Sequence, residues 1–419
     1  MKDGCFAFWT ETTMSNPYLP PELLDHTIDL LHDNPRALKK CCLVSKSWIP
    51  RTRKHLFAHI MFRTQKSLQS WMETFPDPFN SPAHHTHTLT CSQSVEYAEA
   101  SEWITSFSRV VYLDVMGNGL AATLSMDSFV PFHGFSPVIK SIRLDFAILP
   151  ALQLFDLILS FPLLEDLTVV TYFGASTGGC DGPGGPSTAV EPSSPPTFAG
   201  SLDLFMRGGM GPIACRLLSS PGGIHFRKLT LTWFQESDTP LIKELVGACS
   251  GTLESLKIIR STHGTSIHHP RPPRYLPPFP VESESYPIDL SNAWKLEDVA
   301  LQFTNSSSVQ WVSTTLRTIT TDHRKLREVL FYAPCLHCGS TSTSTFDHTN
   351  PADITRRIGE VAYKQWLEFD RLLARIWESH SIHLKVLCYK RQDGTDCRCA
   401  NSLLPEVTRR GIADLVEWS

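Results

Sequence analysis

The chain lacks an excess of charge of either sign and a long uninterrupted apolar run. Its 419 residues carry 38 basic and 42 acidic side chains, so the net charge of -4 gives no attraction to a nucleic-acid backbone. The most apolar stretch, residues 146–164, is interrupted by Pro150, Asp156 and Pro162. We therefore expect a soluble protein with neither nucleic acid nor a membrane as its partner.

A hydrophobic leader is also missing. Residues 1–14 contain too few consecutive apolar side chains for the core of a signal peptide. Without a secretory route, the 12 cysteines are expected to be reduced thiols, several of them within apolar segments. We expect a cytoplasmic or nuclear protein in which residues 1–14 form a flexible tail.

The sequence has little that resembles catalytic chemistry. It contains no GxxxxGK[ST] phosphate loop, and its one GxSxG match is GASTG at residues 174–178. A serine nucleophile in that motif requires a helix directly after the turn, but the following GCDGPGGPS is rich in glycine and proline. We expect no catalysis by Ser176, no cofactor and no enzymatic activity.

Metal-binding patterns are incomplete. Two cysteine pairs could supply four sulfur ligands: Cys335 with Cys338, and Cys397 with Cys399. The second pair has a single intervening residue and lies about 60 residues away, outside compact zinc patterns, so we expect ordinary thiols, with a structural zinc as the alternative. A histidine-rich stretch lies on an expected loop without enforced geometry, and its side chains are expected to be solvated: His84, His85 and His87, near Cys91.

Residues 18–31, YLPPELLDHTIDLL, carry a strong helical pattern. Pro21 suits a first helical position because its missing N–H would be unpaired there, and Glu22 adds negative charge beside the helix dipole. Leu24, Ile28 and Leu31 recur at helical spacing. The pattern predicts an amphipathic helix with one face that must be covered.

Two further short helices are predicted after it. Asn34 followed by Pro35 is a cap and first-turn signal for a helix that extends through Trp48. Ile49 precedes Pro50 and is therefore biased away from helical geometry, so a third helix is expected to begin at residue 50. A module this small buries little surface and needs a neighbour, either the rest of the chain or another protein.

These residues resemble an F-box, a module of about 40 residues, and the continuation RKHLFAHIMF is similar to fungal F-box-like proteins. The family uses this module to bind the adaptor subunit of an SCF-type cullin–RING ubiquitin ligase. The resemblance implies an adaptor-binding set: Leu19, Pro20, Leu23, Ile28, Leu43, Val44 and Trp48. Trp48 also suits a desolvated interface pocket because it is large and rigid.

The remainder of the chain repeats a triplet of the form apolar-x-x-apolar-x-apolar. Its middle members advance by 29 and then 25 residues from Leu113, and by 27 residues between Leu229 and Leu256. These steps are near the period of leucine-rich repeats, and each triplet predicts a short strand. The full set begins at Val110, Ile139, Leu164, Phe226, Leu253, Leu296 and Leu326. Residues 58–62 and 382–389 are expected to add a first and a last strand.

The fold class expected is α/β, with an N-terminal three-helix F-box at residues 15–62 and an irregular leucine-rich-repeat-like β/α solenoid at 63–419. The asparagine that usually follows the triplet occurs only as Asn118, so a compact α/β domain of another topology is the alternative. Residues 354–377 are expected to form a core or capping helix. Flexible surface insertions are expected at 174–200, 263–287 and 338–353.

The resemblance implies a substrate-recognition subunit of an SCF-type ligase. The F-box would dock on the adaptor, the repeat body would hold an unknown protein substrate, and no catalytic group would be required from this chain. The competing interpretation is a stand-alone leucine-rich-repeat scaffold whose helical module only caps its own core.

Overall fold

The protein is described here by a computed structural model, which confirms the α/β class. The structure describes residues 20–92, 94–117, 132, 135, 137–146, 157–171, 196, 198–206, 210–234, 238–260, 287–302, 306–333, 352, 355, 359–389 and 403–418. Leu19, Ser176 and the cysteines at 335, 338, 397 and 399 lie outside these ranges, as do residues 1–14 and almost all of the three expected insertions.

Three short helices form the N-terminal part, which we call the helical module (residues 20–57): α1 (Pro21–Asp29), α2 (Pro35–Val44) and α3 (Ile49–Leu56). The predicted starts of the first two helices are confirmed. Asn34 caps α2, since its side-chain oxygen accepts a hydrogen bond from Ala37 N at 3.1 Å.

The boundary between α2 and α3 differs from our prediction. The second helix ends at Val44, because Ser45 is extended, with φ -154° and ψ 146°. Trp48 instead belongs to a 3-10 turn, Lys46–Trp48, capped by the Ser45 side chain. Ile49 is helical in spite of the proline after it, so α3 begins one residue earlier than expected, with Pro50 still in its first turn.

The described strands form one 12-stranded sheet in which every strand pairs, in parallel, with its sequence neighbours. They are β1 (His59–Phe62), β2 (Thr88–Ser92), β3 (Tyr112–Met116), β4 (Ser141–Phe146), β5 (Asp166–Thr171), β6 (Ser201–Met206), β7 (Lys228–Phe234), β8 (Ser255–Arg260), β9 (Asp298–Gln302), β10 (Glu328–Ala333), β11 (His383–Tyr389) and β12 (Ala413–Trp418). This sequential order is compatible with a solenoid of stacked strand units.

Alternate residues of the strands line up in two buried columns. The first column runs through Leu89, Leu113, Ile142, Leu167, Leu202, Leu229, Leu256, Val299, Val329 and Leu384. The second runs through Cys91, Val115, Leu144, Val169, Leu204, Leu231, Ile258, Leu301, Phe331 and Val386. All of these side chains are buried, so neighbouring units share one continuous core that no single unit could form.

Helices between the strands contribute to the same core. They are α4 (Gln65–Thr74), α5 (Ser101–Thr105), α6 (Gly211–Leu218), α7 (Thr239–Cys249), α8 (Ser306–Leu316), α9 (Glu360–His380) and α10 (Pro405–Arg409). Trp71 of α4, Leu245 of α7 and Phe369 of α9 are buried in the cluster that contains the two columns. The helix predicted at 354–377 is confirmed as α9 from residue 360, with Val361 exposed in its first turn.

Strands β2, β6 and β12 were not identified by the triplet pattern. Before β2, the first apolar position is taken by Thr86, which is buried because its hydroxyl donates to the Phe57 carbonyl at 2.8 Å. Before β6, Phe198 precedes Leu202 by one residue more than the pattern allows and has a positive φ of 42°.

Two expected boundaries also shift. The first strand expected at 58–62 is confirmed as β1, which pairs with β2, so the sheet begins inside the range 15–62 that we assigned to the F-box. Phe198, within the insertion expected at 174–200, is fully buried in the core. In the described part of the chain, no helix has the length and apolar character needed to cross a membrane.

Candidate interaction surfaces

The interior of the helical module is small. Ile28, Leu38 and Cys41 are its buried apolar side chains, and none of them belongs to the continuous core of the sheet. Helix α1 packs on α3 and on the 3-10 turn, while α2 packs mainly on α3. The module is therefore built around α3 and has a core of its own.

A polar cluster joins the first and third helices. Asp29 at the end of α1 accepts a hydrogen bond from Arg51 Nε at 2.7 Å and another from His55 Nε2 at 2.7 Å, and Arg51 Nη2 bonds its second oxygen. These donors hold the pKa of Asp29 well below its usual range, with Arg51 as the larger cause. Asp29 raises the pKa of Arg51 in turn. The charged carboxylate thus fixes α1 against α3.

The seven predicted adaptor-binding residues do not share one environment. Leu19 lies outside the described residues, and Pro20 is exposed at the start of α1. The apolar side chains of Leu23, Leu43 and Val44 are 52%, 87% and 66% exposed. Ile28 is buried at 1% exposure inside the module, and Trp48 is half-buried. In this structure Ile28 therefore belongs to the interior of the module and is not part of its exposed surface.

Leu30 is an exposed apolar residue that our predicted set omits. It follows α1 directly and is 70% exposed. Its place in the apolar stripe of the first helix is visible in the sequence, but periodicity does not show which side of a wide stripe is covered. Among described residues, four of the twelve exposed large apolar side chains lie in this module: Leu23, Leu30, Leu43 and Val44. We call these four residues the module leucine set, although the fourth is a valine.

The body contacts the module through α3 and the residues after it. Phe57 packs against the core of the sheet, with its ring edge-on to Trp71 at 5.9 Å and to Phe75 at 6.0 Å. The 3-10 turn Pro82–His85 also lies against α3. Because α1 and α2 pack mainly within the module, the body leaves the module leucine set uncovered.

A second surface is the side of the sheet opposite the two buried columns, which we call the open face. On β3 it presents Tyr112, Asp114 and Met116, and on β4 it presents Arg143 and Asp145. Tyr112 is 54% and Met116 is 40% exposed, so neither is covered by a described residue of the chain. This face carries both apolar and charged groups.

The carboxylates of the open face are not equivalent. Asp166 is satisfied within the fold, because its Oδ1 accepts from Ser201 N at 2.6 Å and from Ser201 Oγ at 2.8 Å. Asp114 is half-buried, and its Oδ1 accepts no hydrogen bond from the part of the chain that is described. Burial raises the pKa of Asp114, the charge of Arg143 opposes that shift, and Asp145 adds to it.

Residues considered for metal binding do not form a site in the described ranges. No group of three or more His, Cys, Asp and Glu side chains there is arranged to hold a metal ion. His84 and His87 are exposed, and each ring nitrogen Nδ1 bonds a nearby backbone carbonyl, of Ser81 at 3.0 Å and of His85 at 2.9 Å. Cys91 is buried, and burial raises the pKa of its thiol.

Comparison with protein-family models and with curated proteins found no match to this chain. The two surfaces just described are therefore interpreted from their own residues.

Proposed function

We propose that this chain is the substrate-recognition subunit of an SCF-type cullin–RING ubiquitin ligase, in which an F-box-like module binds the adaptor and a leucine-rich-repeat-like body holds a protein substrate. Its role is positioning, because a receptor raises the local concentration of substrate beside a ligase assembled on other subunits. No acid, base or nucleophile is then required from this chain.

The observation that carries the proposal is the uncovered module leucine set. Exposed apolar residues scattered singly are ordinary, but here four occur within a module whose buried interior has only three apolar members in the described chain. A partner that covers these side chains would supply the apolar burial that the module lacks. Trp48 can extend that contact, since its half-buried indole is still accessible in part.

The capping interpretation has its own support. Phe57 packs on the core of the sheet, so the end of the module does shield the first unit. That shielding is made by residues after α3, whereas α1 and α2 are not needed for it. Capping and adaptor binding therefore use different parts of the module and can be tested separately.

The test is adaptor binding by the full chain. We expect Leu43→Ala with Val44→Ala to weaken binding of purified SCF adaptor at least about tenfold, measured by biolayer interferometry, because each truncation removes apolar surface whose burial is worth about 1 kcal/mol or more. Phe79→Ala is the matched control, since Phe79 on the body is 87% exposed, as Leu43 is. Wild-type protein that binds no adaptor, or equal loss in the control, would leave the scaffold interpretation standing.

A further inference from the structure

The charges of the helical module are segregated along the chain. Residues 20–34, which contain α1, carry four acidic side chains and no lysine or arginine, whereas residues 35–57, which contain α2 and α3, carry seven lysines and arginines and no acid. One contact inside the module uses this complementarity, because Asp29 of α1 pairs with Arg51 of α3. The outer surfaces of α1 and α2 therefore differ in the sign of their charge.

The outer face of α2 combines basic and apolar side chains. Arg36, Lys40 and Val44 follow one another at i, i+4 and i+8, so they form one row along the helix, which we call the α2 row. Lys39 and Leu43 lie beside it, and all five side chains are exposed. Within the described ranges, none of the three bases forms an ion pair. The α2 row is thus positive at its start and apolar at its end.

The outer face of α1 has the opposite charge at the same spacing. Glu22, His26 and Leu30 also follow one another at i, i+4 and i+8, and Leu30 keeps helical dihedral angles at the end of the helix. We call these three exposed residues the α1 row. In each row the charged and the apolar end are about 12 Å apart, because a helix rises about 1.5 Å per residue. Side by side and parallel, the two rows place Glu22 against Arg36 and Leu30 against Val44.

A second copy of this chain is the partner that fits both rows. Within one chain the rows do not meet, because all of their members are exposed. A wholly acidic partner would attract the bases of α2 but repel the acids of α1, and a wholly basic partner would do the reverse. In a twofold-symmetric pair, α1 of each copy can lie on α2 of the other, which brings both rows and all four members of the module leucine set into the contact.

We propose that two copies of this chain associate through the helical module, with α1 of each copy parallel to α2 of the other, and that this dimer is closed to the adaptor. Glu22 of one copy pairs with Arg36 of the other, and Leu30 packs on Val44. Because these contacts cover the module leucine set, a second copy and the adaptor compete for one surface. The competition rests on the proposed function, since it assigns the regulation of the adaptor-binding surface.

The experiment measures self-association of the full-length protein by sedimentation velocity. With rising protein concentration, the wild-type mass should move from 47.0 kDa toward twice that value. Arg36→Glu and Glu22→Arg should each weaken the dimer about tenfold or more, because each sets like charges against one another at both symmetric contacts. The double variant, Glu22→Arg with Arg36→Glu, should return the dimer to within about threefold of the wild type, since opposite charges meet again.

The matched control reverses one charge on the body. Lys325→Glu alters an exposed turn before β10 and should dimerise like the wild type. A variant that had only lost its fold would not be rescued by a second charge reversal. A wild type that stays monomeric, equal loss in the control, or a double variant that does not recover would overturn the proposal. Binding of a monomeric wild type to phosphatidylserine vesicles, lost in Arg36→Glu, would assign the α2 row to a membrane instead.

Adding purified adaptor separates this proposal from the proposed function. The adaptor should convert the wild-type dimer into a complex of one adaptor with one copy of this chain. A complex with two copies of each protein would overturn the competition. Adaptor binding by a wild type that is always monomeric would overturn only the self-association. A dimer that shows the charge-reversal rescue but binds no adaptor would overturn the proposed function and leave a homodimer.

Discussion

The helical module and the sheet body are held together in different ways. In the body, two columns of apolar side chains continue through successive strands, and every member is buried. In the module, three apolar side chains are buried, four are exposed, and the Asp29, Arg51 and His55 cluster fixes the first helix. The body is stabilised mainly by burial of apolar surface, and the module depends more on a polar contact.

This difference indicates which kind of surface each region leaves uncovered for a partner. A stacked array satisfies its apolar residues with neighbouring units and can leave a mixed, charged face free for partners. A module of this size cannot bury all of its leucines, so its apolar surface remains available. The expected partner of the module is therefore apolar.

The largest effect should come from a cavity in the shared core. Leu204 of β6 is fully buried between Val169 and Leu231 in the second column. Leu204→Ala should lower the free energy of unfolding by about 2–5 kcal/mol, measured by urea denaturation. Leu43→Ala, on the module surface, should change it by less than about 0.5 kcal/mol. Similar losses for the two variants would remove the distinction between the regions.

A smaller loss is expected where two strands approach closely. A Cβ added to Gly200 would lie 2.2 Å from Asp166 Oδ1 and 3.0 Å from the Glu165 carbonyl oxygen. Gly200→Ala should therefore displace the carboxylate that holds Ser201 and cost about 1–3 kcal/mol. Gly247→Ala on α7, where a Cβ meets nothing within 4 Å, is the control and should be neutral or stabilising. Thermal denaturation of both variants measures these two changes in stability.

The smallest effect should be in the module. Asp29→Asn weakens the bonds from Arg51 and His55 and should cost about 1 kcal/mol, a value reduced because the Asp29 and Arg51 side chains remain 34% and 32% exposed. Hydrogen exchange of the α1 amides measures this loss of stability. Asp33→Asn is the control, since the Asp33 side chain is 89% exposed.

The stabilising contribution of Asp29 should depend on pH. The folded-state pKa of Asp29 is lowered, so its contribution to stability is complete above the ordinary carboxyl pKa of about 4 and is lost as the pH falls below that value. The difference in hydrogen-exchange protection of the α1 amides between the wild type and Asp29→Asn should therefore be constant near neutral pH. It should become smaller in acid. A difference that grows in acid would show that Asp29 does not stabilise the module as a carboxylate.

Much of the fold could be predicted where local chemistry acts alone. Pro21, Asn34 and Pro35 mark helix starts by their own backbone and capping properties, and the structure places α1 and α2 there. Seven triplets predict strands because apolar alternation directly reflects a one-sided sheet. Thr86 shows the limit of that pattern, because it occupies an apolar position while the Phe57 carbonyl accepts a hydrogen bond from its hydroxyl.

The residues of the candidate surfaces were less predictable than the strands. Ile28 and Leu30 belong to the same apolar stripe in the sequence, yet Ile28 is buried and Leu30 is 70% exposed. Only the packing of α1 against α3 decides between them. The charged positions of the open face could not be seen at all, because Asp114 and Arg143 are far apart in the chain and become neighbours only through strand register.

The amino-acid sequence by itself determined the helix starts and most of the strands, since these follow from local periodicity and backbone restriction. Only the tertiary structure decided which leucines of the module stay uncovered and which carboxylates share the open face. Exposure and proximity depend on long-range packing and register, which bring together residues that no local pattern relates.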